Sequence, residues 1–259
     1  MDKNQFLHYK DKSLYEIDTE RPDRICSINA AVSRPRMYKS YTQLKKISSN
    51  LGIDLFGVAD IAKIKNEFAL PENLLQKLDK AIVLGTRLSQ AILEEIETHP
   101  TKLYFHHYRT LNNFLDQAAL RLANIIQNKG FVVLPIPASQ ILDWESQKAH
   151  LSHKQLGFYA GIGWLGRNNL LVNKKLGSQF RLVTILTDMP LKLDKPVKDG
   201  CGSCRLCIAV CPAQAIKNSP EEFDHIKCFE KLKEFQKLRL VDQYICGVCV
   251  KACKGGKRC

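Results

Sequence analysis

Cys201-Gly-Ser-Cys204-Arg-Leu-Cys207-Ile-Ala-Val-Cys211-Pro212 is the most informative segment of this 259-residue sequence. Its C-x2-C-x2-C-x3-C-P spacing is the pattern in which three thiolates bind one 4Fe-4S cluster and the fourth cysteine reaches a second cluster. Cys228 follows, and then a second run, Cys246-Gly-Val-Cys249-Val-Lys-Ala-Cys253. These cysteines fill two clusters with crossed ligation. The first cluster is assigned Cys201, Cys204, Cys207 and Cys253, and the second Cys211, Cys228, Cys246 and Cys249.

Two other uses of these cysteines agree with parts of the pattern. The C-x2-C pairs also occur in four-cysteine zinc sites. A zinc ion, however, would use four of these eight cysteines and leave the other four unexplained. A disulfide framework is disfavoured, because a chain of this length buries a core and the sequence shows no secretory signal. Cys26 and Cys259 lie outside both runs, and we expect them to be free thiols.

Composition indicates a soluble globular protein, with 45% hydrophobic and 25% charged residues. No apolar run approaches the roughly 18 residues that a membrane span requires, and residues 1–25 lack the apolar core of a secretion signal. We therefore expect a cytoplasmic protein without a membrane partner. The net charge of +13 favours polyanionic partners, but the basic residues are dispersed, so charge alone does not favour tRNA.

The hydrophobic pattern predicts three parts: an N-terminal extension over 1–40, a domain over 41–196 and a ferredoxin-like cluster domain over 197–259. Helices and strands alternate in the middle part, which predicts an α+β or α/β fold. The longest predicted helix runs from Tyr104 to Lys129 and stops at Gly130. Other predicted helices are 44–51, 72–78, 89–97, 150–159, 207–217 and 246–254, and the predicted strands are 54–60, 81–86, 131–136, 169–173 and 180–187.

Gly161-Ile-Gly163-Trp164-Leu-Gly166 matches the G-x-G-x-x-G pattern of dinucleotide-binding turns. That fingerprint requires a strand before it and a helix after it, whereas here a helical pattern precedes and a β-rich run follows. The glycines nevertheless expose backbone beside Trp164, where a large flat ligand fits, and Arg167 and Asn168 follow as hydrogen-bonding groups. The alternative is a tight turn with a packed tryptophan.

Groups able to deliver a proton are few outside the cysteines. Tyr104, His106 and Tyr108 open the long helix, and Asp143 is one of the carboxylates nearest to the glycine turn. Each has an ordinary alternative as a surface, cap or turn residue. His150 and His153 have metal-chelating spacing, but no third ligand is evident, so a polar face or a substrate contact is favoured.

The combination of these motifs resembles a known family. The relevant segments are Ala160–Val172, Gly177-Ser178, Leu186-Thr-Asp-Met-Pro-Leu191 and the two cysteine runs. Over 41–253 the series is similar to epoxyqueuosine reductases and their double-cluster relatives, and more distantly to reductive dehalogenases. The resemblance implies a nitroreductase-like domain that holds cobalamin and two clusters that pass electrons to it, supplied by a donor such as ferredoxin or flavodoxin.

Two departures from this family bear on the substrate. Epoxyqueuosine reductases carry Asp-Ser-Ala-Pro after the strand 131–136, with its aspartate as proton donor, whereas this sequence has Pro135-Ile-Pro-Ala138-Ser139. Many of them also continue into a helical-repeat region that helps to hold tRNA, while this sequence stops six residues after Cys253. We therefore expect a related reductase with an unidentified small-molecule or RNA-borne substrate. The alternatives are a tRNA-modifying epoxyqueuosine reductase and a non-catalytic electron carrier.

The expected corrinoid site follows from the same resemblance. The sequence has no Asp-x-His-x-x-Gly segment, so no axial histidine is expected from such a loop and the cobalt face stays open for chemistry. The corrinoid is expected to lie between the domain and the clusters, with proton delivery by one of the four candidates above. Its expected contacts are Gly161, Gly163, Trp164, Gly166, Arg167, Asn168, Ala138 and Ser139.

Overall fold

A four-stranded antiparallel sheet lies at the centre of the protein, in a computed structural model that describes residues 34–143 and 148–256. The strands are β1 Leu55–Asp60, β2 Lys80–Arg87, β3 Val133–Ile136, β4 Trp164–Leu165, β5 Leu171–Val172 and β6 Phe180–Thr187. The strand order of the sheet is β1-β2-β6-β3, and every neighbouring pair is antiparallel, so the fold is α+β. The helices are α1 Arg34–Asn50, α2 Glu72–Leu75, α3 Gln90–Glu94, α4 Lys102–Asn128, α5 His153–Tyr159, α6 Leu206–Ala209, α7 His225–Lys237 and α8 Val248–Ala252.

The sheet is covered on both faces, which explains why β2 and β6 are almost continuously apolar. Side chains alternate between the faces of a strand, so Ile82 and Leu84 face α1 and α4, whereas Ala81 and Val83 face α5. All four are 0% exposed. Full burial of a large aliphatic side chain contributes roughly 1.5–3 kcal/mol. This two-sided burial makes the sheet the core of the fold.

Helix α4 follows the predicted amphipathic pattern closely. Thr101 caps its first turn by accepting a hydrogen bond from the Tyr104 backbone N–H at 3.1 Å, and Gly130 follows its end with φ +83°. Its apolar stripe, including Leu115, Leu122 and Ile126, packs against the sheet. The first two turns of α4 extend beyond this stripe and carry Tyr104 and Tyr108.

Several element boundaries differ from the sequence predictions. Helix α1 is already present at Arg34, the first described residue, so helical structure extends N-terminal to the predicted start near Tyr41, and the added turns are largely exposed. Helices α6 and α8 are much shorter than 207–217 and 246–254: Pro212 stops α6, and Gly247, at φ +85°, precedes α8. The sequence pattern does not predict helix α7, although Asp224 caps it by accepting a hydrogen bond from the Lys227 N–H at 2.9 Å.

None of the described helices is both long and apolar enough to cross a membrane. Cys26 and Cys259, which the sequence predicts to be free thiols, lie outside the described residues.

Candidate functional site

A cavity of about 270 Å³, here called the first cavity, is lined by four cysteines. These are Cys201, Cys204, Cys207 and Cys253. Burial, with smaller contributions from Cys253 and Cys201, raises the pKa of the Cys207 thiol to about 11. The structure thus places Cys253, the last cysteine of the second run, beside the first three cysteines of the first run.

A larger cavity of about 800 Å³, the second cavity, is lined by the other four cysteines. These are Cys211, Cys228, Cys246 and Cys249. Burial, with a smaller contribution from Cys211, raises the pKa of Cys228 to about 11. The same cause raises the pKa of Cys249 well above its ordinary value, with Cys246 contributing.

The eight cysteines therefore divide between the two cavities in the crossed pattern that their spacing predicts. Within 34–143 and 148–256, no three His, Cys, Asp or Glu side chains are close enough together to bind a single metal ion. A 4Fe-4S cluster is ligated through four different irons, so its thiolates stand further apart than the ligands of one ion. A ligated thiol is deprotonated by its metal, which would offset the raised pKa values. The number and grouping of the cysteines around the two cavities agree with the two predicted clusters, and the ligation itself stays a prediction.

The turn at 160–169 contacts the first cavity instead of presenting a bare face to a ligand. The Trp164 indole Nε1–H donates to Cys201 Sγ at 3.4 Å. The Arg167 guanidinium donates to three backbone carbonyls, two in the cysteine segment and one in the loop that follows it. Their distances are 2.7 Å to Asn218, 3.0 Å to Cys204 and 2.8 Å to Gly202. Trp164 and Arg167 therefore hold the loop that carries the first three cysteines.

The glycines of this turn are covered by the protein's own chain. A Cβ on Gly163 would lie 2.0 Å from the Val172 carbonyl oxygen, and one on Gly161 would lie 2.5 Å from that of Lys195. One on Gly166 would lie 2.5 Å from Val172 Cγ2. The structure differs here from the expectation of exposed backbone beside a flat ligand, because close packing against neighbouring segments already accounts for the glycines.

Asn168 is the residue of this turn that reaches both cavities. Its side chain is 3% exposed and its Nδ2–H donates to Ser178 Oγ at 3.2 Å. Of the residues expected to contact a corrinoid, Asn168 and Ser139 line the second cavity. Ala138 lies beneath the loop, where its backbone N–H donates to Asp116 Oδ1 at 2.7 Å.

Tyr108, Ser139 and Arg181 form a polar group on the wall of the second cavity. The Tyr108 hydroxyl shares a short hydrogen bond with Ser139 Oγ and accepts one from Arg181 Nη2 at 3.0 Å. The Arg181 guanidinium carbon also lies 4.2 Å from the centre of the Tyr108 ring. Ser139 adopts φ +61°, a conformation that costs about 1–3 kcal/mol in a non-glycine residue.

The four candidate proton donors fall into two groups. Tyr104 and Tyr108 line the second cavity, and burial raises the pKa of Tyr104. His106 and Asp143 are exposed and lie outside both cavity linings, so the structure does not bring them to the site. Periodicity explains the difference, because Tyr104 and Tyr108 are four residues apart on one face of α4 whereas His106 lies between them.

His150 and His153 do not form a metal pair. His153 Nδ1 lies 2.8 Å from Thr184 Oγ1, and its Nε2 lies 3.1 Å from the Pro137 carbonyl oxygen. The ring therefore bridges these two groups. Burial lowers the pKa of His153 to about 4 despite the Pro137 contact, and Arg181 lowers it further. His150 Nδ1 instead lies 2.9 Å from the Ala69 carbonyl oxygen. His153 therefore supports the loop that carries Ser139.

Sequence reasoning missed several polar residues of the second cavity: Lys154, Asn169, Ser178, Arg181, His225 and Lys231. A charged residue within an apolar strand, such as Arg181 in β6, is a signal that draws attention to this site. The other residues carry no comparable signal, since isolated polar residues in loops and helix ends are common. Among the described residues, no aspartate or glutamate lines this cavity.

Comparison with known proteins places this arrangement among reductases. No model of a known protein family matches the chain. The chain is 31% identical over 215 residues to an epoxyqueuosine reductase of Cyclobacterium marinum, an alignment that covers 75% of this chain and 69% of that protein. It is 39% identical over 84 residues to the Escherichia coli epoxyqueuosine reductase, which is 22% of that protein.

Solved structures with the same fold come from two groups of enzymes. The epoxyqueuosine reductase of Streptococcus thermophilus superposes with a TM-score of 0.58 at 19% identity, covering 82% of this chain and 65% of that one. A catabolic reductive dehalogenase superposes with a TM-score of 0.67 at 19% identity, covering 84% of this chain and 32% of that one. At these identities the likeness establishes the fold.

The fold is the nitroreductase-like α+β fold of these two groups of reductases, and eight of its cysteines are grouped as two sets of four. Within that class, the identity shared with the Cyclobacterium protein over most of both chains assigns the family. The chain belongs to the epoxyqueuosine reductase family. The prediction of a reductase is thereby confirmed for the family.

Proposed function

We propose that this chain is an iron–sulfur and cobalamin-dependent reductase that acts on epoxyqueuosine in tRNA. The observation that carries the proposal is the second cavity, where four cysteines and the Tyr108–Ser139–Arg181 group line one space. The names of the curated relatives support this substrate over an unidentified one. One solved neighbour, with a TM-score of 0.58, is described with an epoxyqueuosine-modified tRNA stem loop.

The donor sets support the cofactors of this proposal. Cys201, Cys204, Cys207 and Cys253 would hold one cluster, and Cys211, Cys228, Cys246 and Cys249 the other. A second cavity of about 800 Å³ with a mostly apolar lining suits part of a large ring, and one solved reductive dehalogenase is described as B12-dependent. Cobalamin, when bound, supplies the cobalt centre for carbon–oxygen bond cleavage.

Tyr108 is the residue that we assign to proton delivery. Removal of an epoxide oxygen as water consumes two electrons and two protons, so a proton donor is required beside the substrate. Proton transfer leaves negative charge on the tyrosine oxygen, and the Arg181 guanidinium lies beside that oxygen and donates to it at 3.0 Å. A Bacillus subtilis epoxyqueuosine reductase is described with a catalytic loop that carries an aspartate, whereas in this chain Ser139, in the loop after β3, holds the Tyr108 hydroxyl through its Oγ.

The test uses anaerobically reconstituted protein, a low-potential reductant and a tRNA stem loop that carries epoxyqueuosine. We expect mass spectrometry to show loss of one oxygen from the modified nucleoside. Tyr108→Phe should slow this conversion by about 100-fold or more, since general acid catalysis contributes about 10²–10⁴-fold. Tyr38→Phe, at a side chain that is 54% exposed, is the control. Equal rates for Tyr108→Phe and wild type would remove Tyr108 from this role.

A second candidate function rests on the loop sequence Pro137-Ala138-Ser139, which lacks a carboxylate. A reductase with the same cofactors and a tyrosine donor would act on a different electrophile. Protein that binds both clusters and cobalamin but leaves the modified stem loop unchanged would favour this second function.

A further inference from the structure

Lys154 projects from the first turn of α5 into the wall of the second cavity. Its Nζ donates to the Asn169 backbone carbonyl at 2.9 Å and to Asn169 Oδ1 at 2.7 Å. The Asn169 amide in turn lies 2.9 Å from His225 Nε2. All three residues line the cavity, with His225 exposed at its edge. A chain of polar groups therefore runs from solvent into the wall.

The charge of Lys154 is not balanced by a carboxylate in the described part of the chain. Its hydrogen-bond acceptors there are both neutral, and no ion pair involves it. A half-buried ammonium without a counter-charge is costly, and burial accordingly lowers the pKa of Lys154 to about 8. An anion from a ligand would offset that cost.

Asn169 adds a second feature to this wall. Its backbone adopts φ +55°, which is uncommon for a residue other than glycine, and both of its oxygens accept hydrogen bonds from Lys154 Nζ. Arg181 lines the same cavity and adds a second positive charge, whereas Lys231 there is paired with Glu234. Lys231 also partly offsets the burial that raises the pKa of Cys246.

We propose that Lys154, together with Asn169 and His225, forms a subsite for a phosphate group of the ligand in the second cavity. Phosphate accepts strong charge-assisted hydrogen bonds from ammonium and imidazole donors. The inference rests on the proposed function, which brings two phosphodiesters to this cavity: the nucleotide loop of cobalamin and the RNA backbone. These two sources share one chemistry and are separated by experiment.

The first arm compares cobalamin with cobinamide, which has the same ring but lacks the nucleotide loop and its phosphate. Binding to anaerobically reconstituted protein is followed by absorption titration. If the phosphate comes from cobalamin, wild type should prefer cobalamin and Lys154→Met should lose about tenfold or more of that preference, the worth of one charged hydrogen bond. Cobinamide affinity should not change. Lys154→Arg should retain the preference, and Lys175→Met, at an exposed lysine outside both cavity linings, is the control.

The second arm measures binding of the tRNA stem loop by the same variants. If the phosphate comes from RNA, Lys154→Met should weaken binding of the stem loop by about tenfold and leave the affinities for both corrinoids unchanged. Unchanged binding in both arms, with or without a lower melting temperature, would overturn the subsite and leave Lys154 as a link between α5 and the turn at Asn169. Wild-type protein that binds neither corrinoid contradicts the proposed cofactor instead, and the stem-loop arm then decides the subsite.

Discussion

The hydroxyl of Tyr108, the proposed proton donor, is held by two side chains of different chemistry. Ser139 holds its hydroxyl from the loop after β3, and Arg181 donates to the same oxygen from β6. A carboxylate in place of Ser139 would pair with Arg181 and compete with the tyrosine for it. The serine leaves the guanidinium directed at Tyr108, so the loop sequence and the tyrosine donor are parts of one arrangement.

His153 is expected to make stability depend on pH in the acid range. A pKa lowered to about 4 means that the unfolded chain takes up a proton near pH 6.5 while the folded chain does not. Stability is therefore complete above about pH 6.5 and falls as the pH drops towards 4, by about 1–3 kcal/mol from this group. Denaturant titrations at pH 7 and pH 4.5 measure the free energy of unfolding at each pH. We expect this free energy to fall less between the two pH values in His153→Asn than in wild type.

The control for this prediction is His106→Asn, at an exposed ring outside both cavities. Acid also weakens cluster binding, but that effect is common to all three proteins and cancels in the comparison. Identical acid losses in wild type and His153→Asn would show that another group titrates.

Helix α8 depends on the conformation of the single glycine that precedes it. Gly247 has φ +85°, and a Cβ there would lie 2.7 Å from both Ile96 Cδ1 and Tyr104 Cε1. The close approach lets α8 pack against α3 and the start of α4, which sets Cys246 and Cys249 beside the second cavity. The position of these two cysteines is thus governed by packing outside their own segment.

Gly247→Ala should therefore destabilise the protein by about 2–4 kcal/mol, since steric overlap adds to backbone strain, and should lower the iron content. Gly130→Ala is a matched control, because Gly130 has φ +83° but a Cβ added there would meet no atom within 4 Å. It should cost only about 1 kcal/mol and leave iron content unchanged. Thermal unfolding and iron analysis measure both effects. Equal effects of the two substitutions would show that the contact with Tyr104 is unimportant.

Elements with a strong burial pattern were predictable, and those shaped by packing were not. The sequence predicts α4, β2 and β6 because each has a long apolar stripe or run that the core requires. It does not predict α7, whose buried side chain is Phe235 alone, while exposed ion pairs such as Lys231–Glu234 lie along it. The end of α6 before Pro212 and the start of α8 after Gly247 were likewise misplaced, whereas the end of α4 before Gly130 was predicted.

The same contrast applies to the candidate site in the folded chain. The cysteine grouping was predictable, because ligand spacing within each run reflects local geometry that a cluster requires. The Tyr108–Ser139–Arg181 group was not, because it joins three elements whose outer members lie 73 residues apart. Its assembly depends on the antiparallel register of β6 between β2 and β3, which no local pattern specifies.

Crossed ligation predicts which cysteine substitutions act together. Cys211→Ala, although in the first run, should remove the second cluster and reduce iron from about eight to about four per chain. Adding Cys249→Ala should cause no further loss, whereas adding Cys207→Ala should remove the remaining iron. Iron analysis with electron paramagnetic resonance distinguishes the two clusters. The opposite result would contradict the crossing: complete loss of iron in the double variant Cys211→Ala/Cys249→Ala, and about four irons retained in Cys211→Ala/Cys207→Ala.

The crossed grouping of the cysteines also affects the order in which folding and cluster assembly occur during translation. Each cavity takes cysteines from both runs, so neither donor set is complete until the ribosome has passed Cys249 and Cys253. At about 5–20 residues per second, the first run waits for several seconds with its thiols unligated. The sheet and α4 are synthesised earlier and have time to form. Iron insertion would therefore be a late step that acts on a largely folded scaffold, and a shortage of iron would leave unligated thiols rather than an unfolded core.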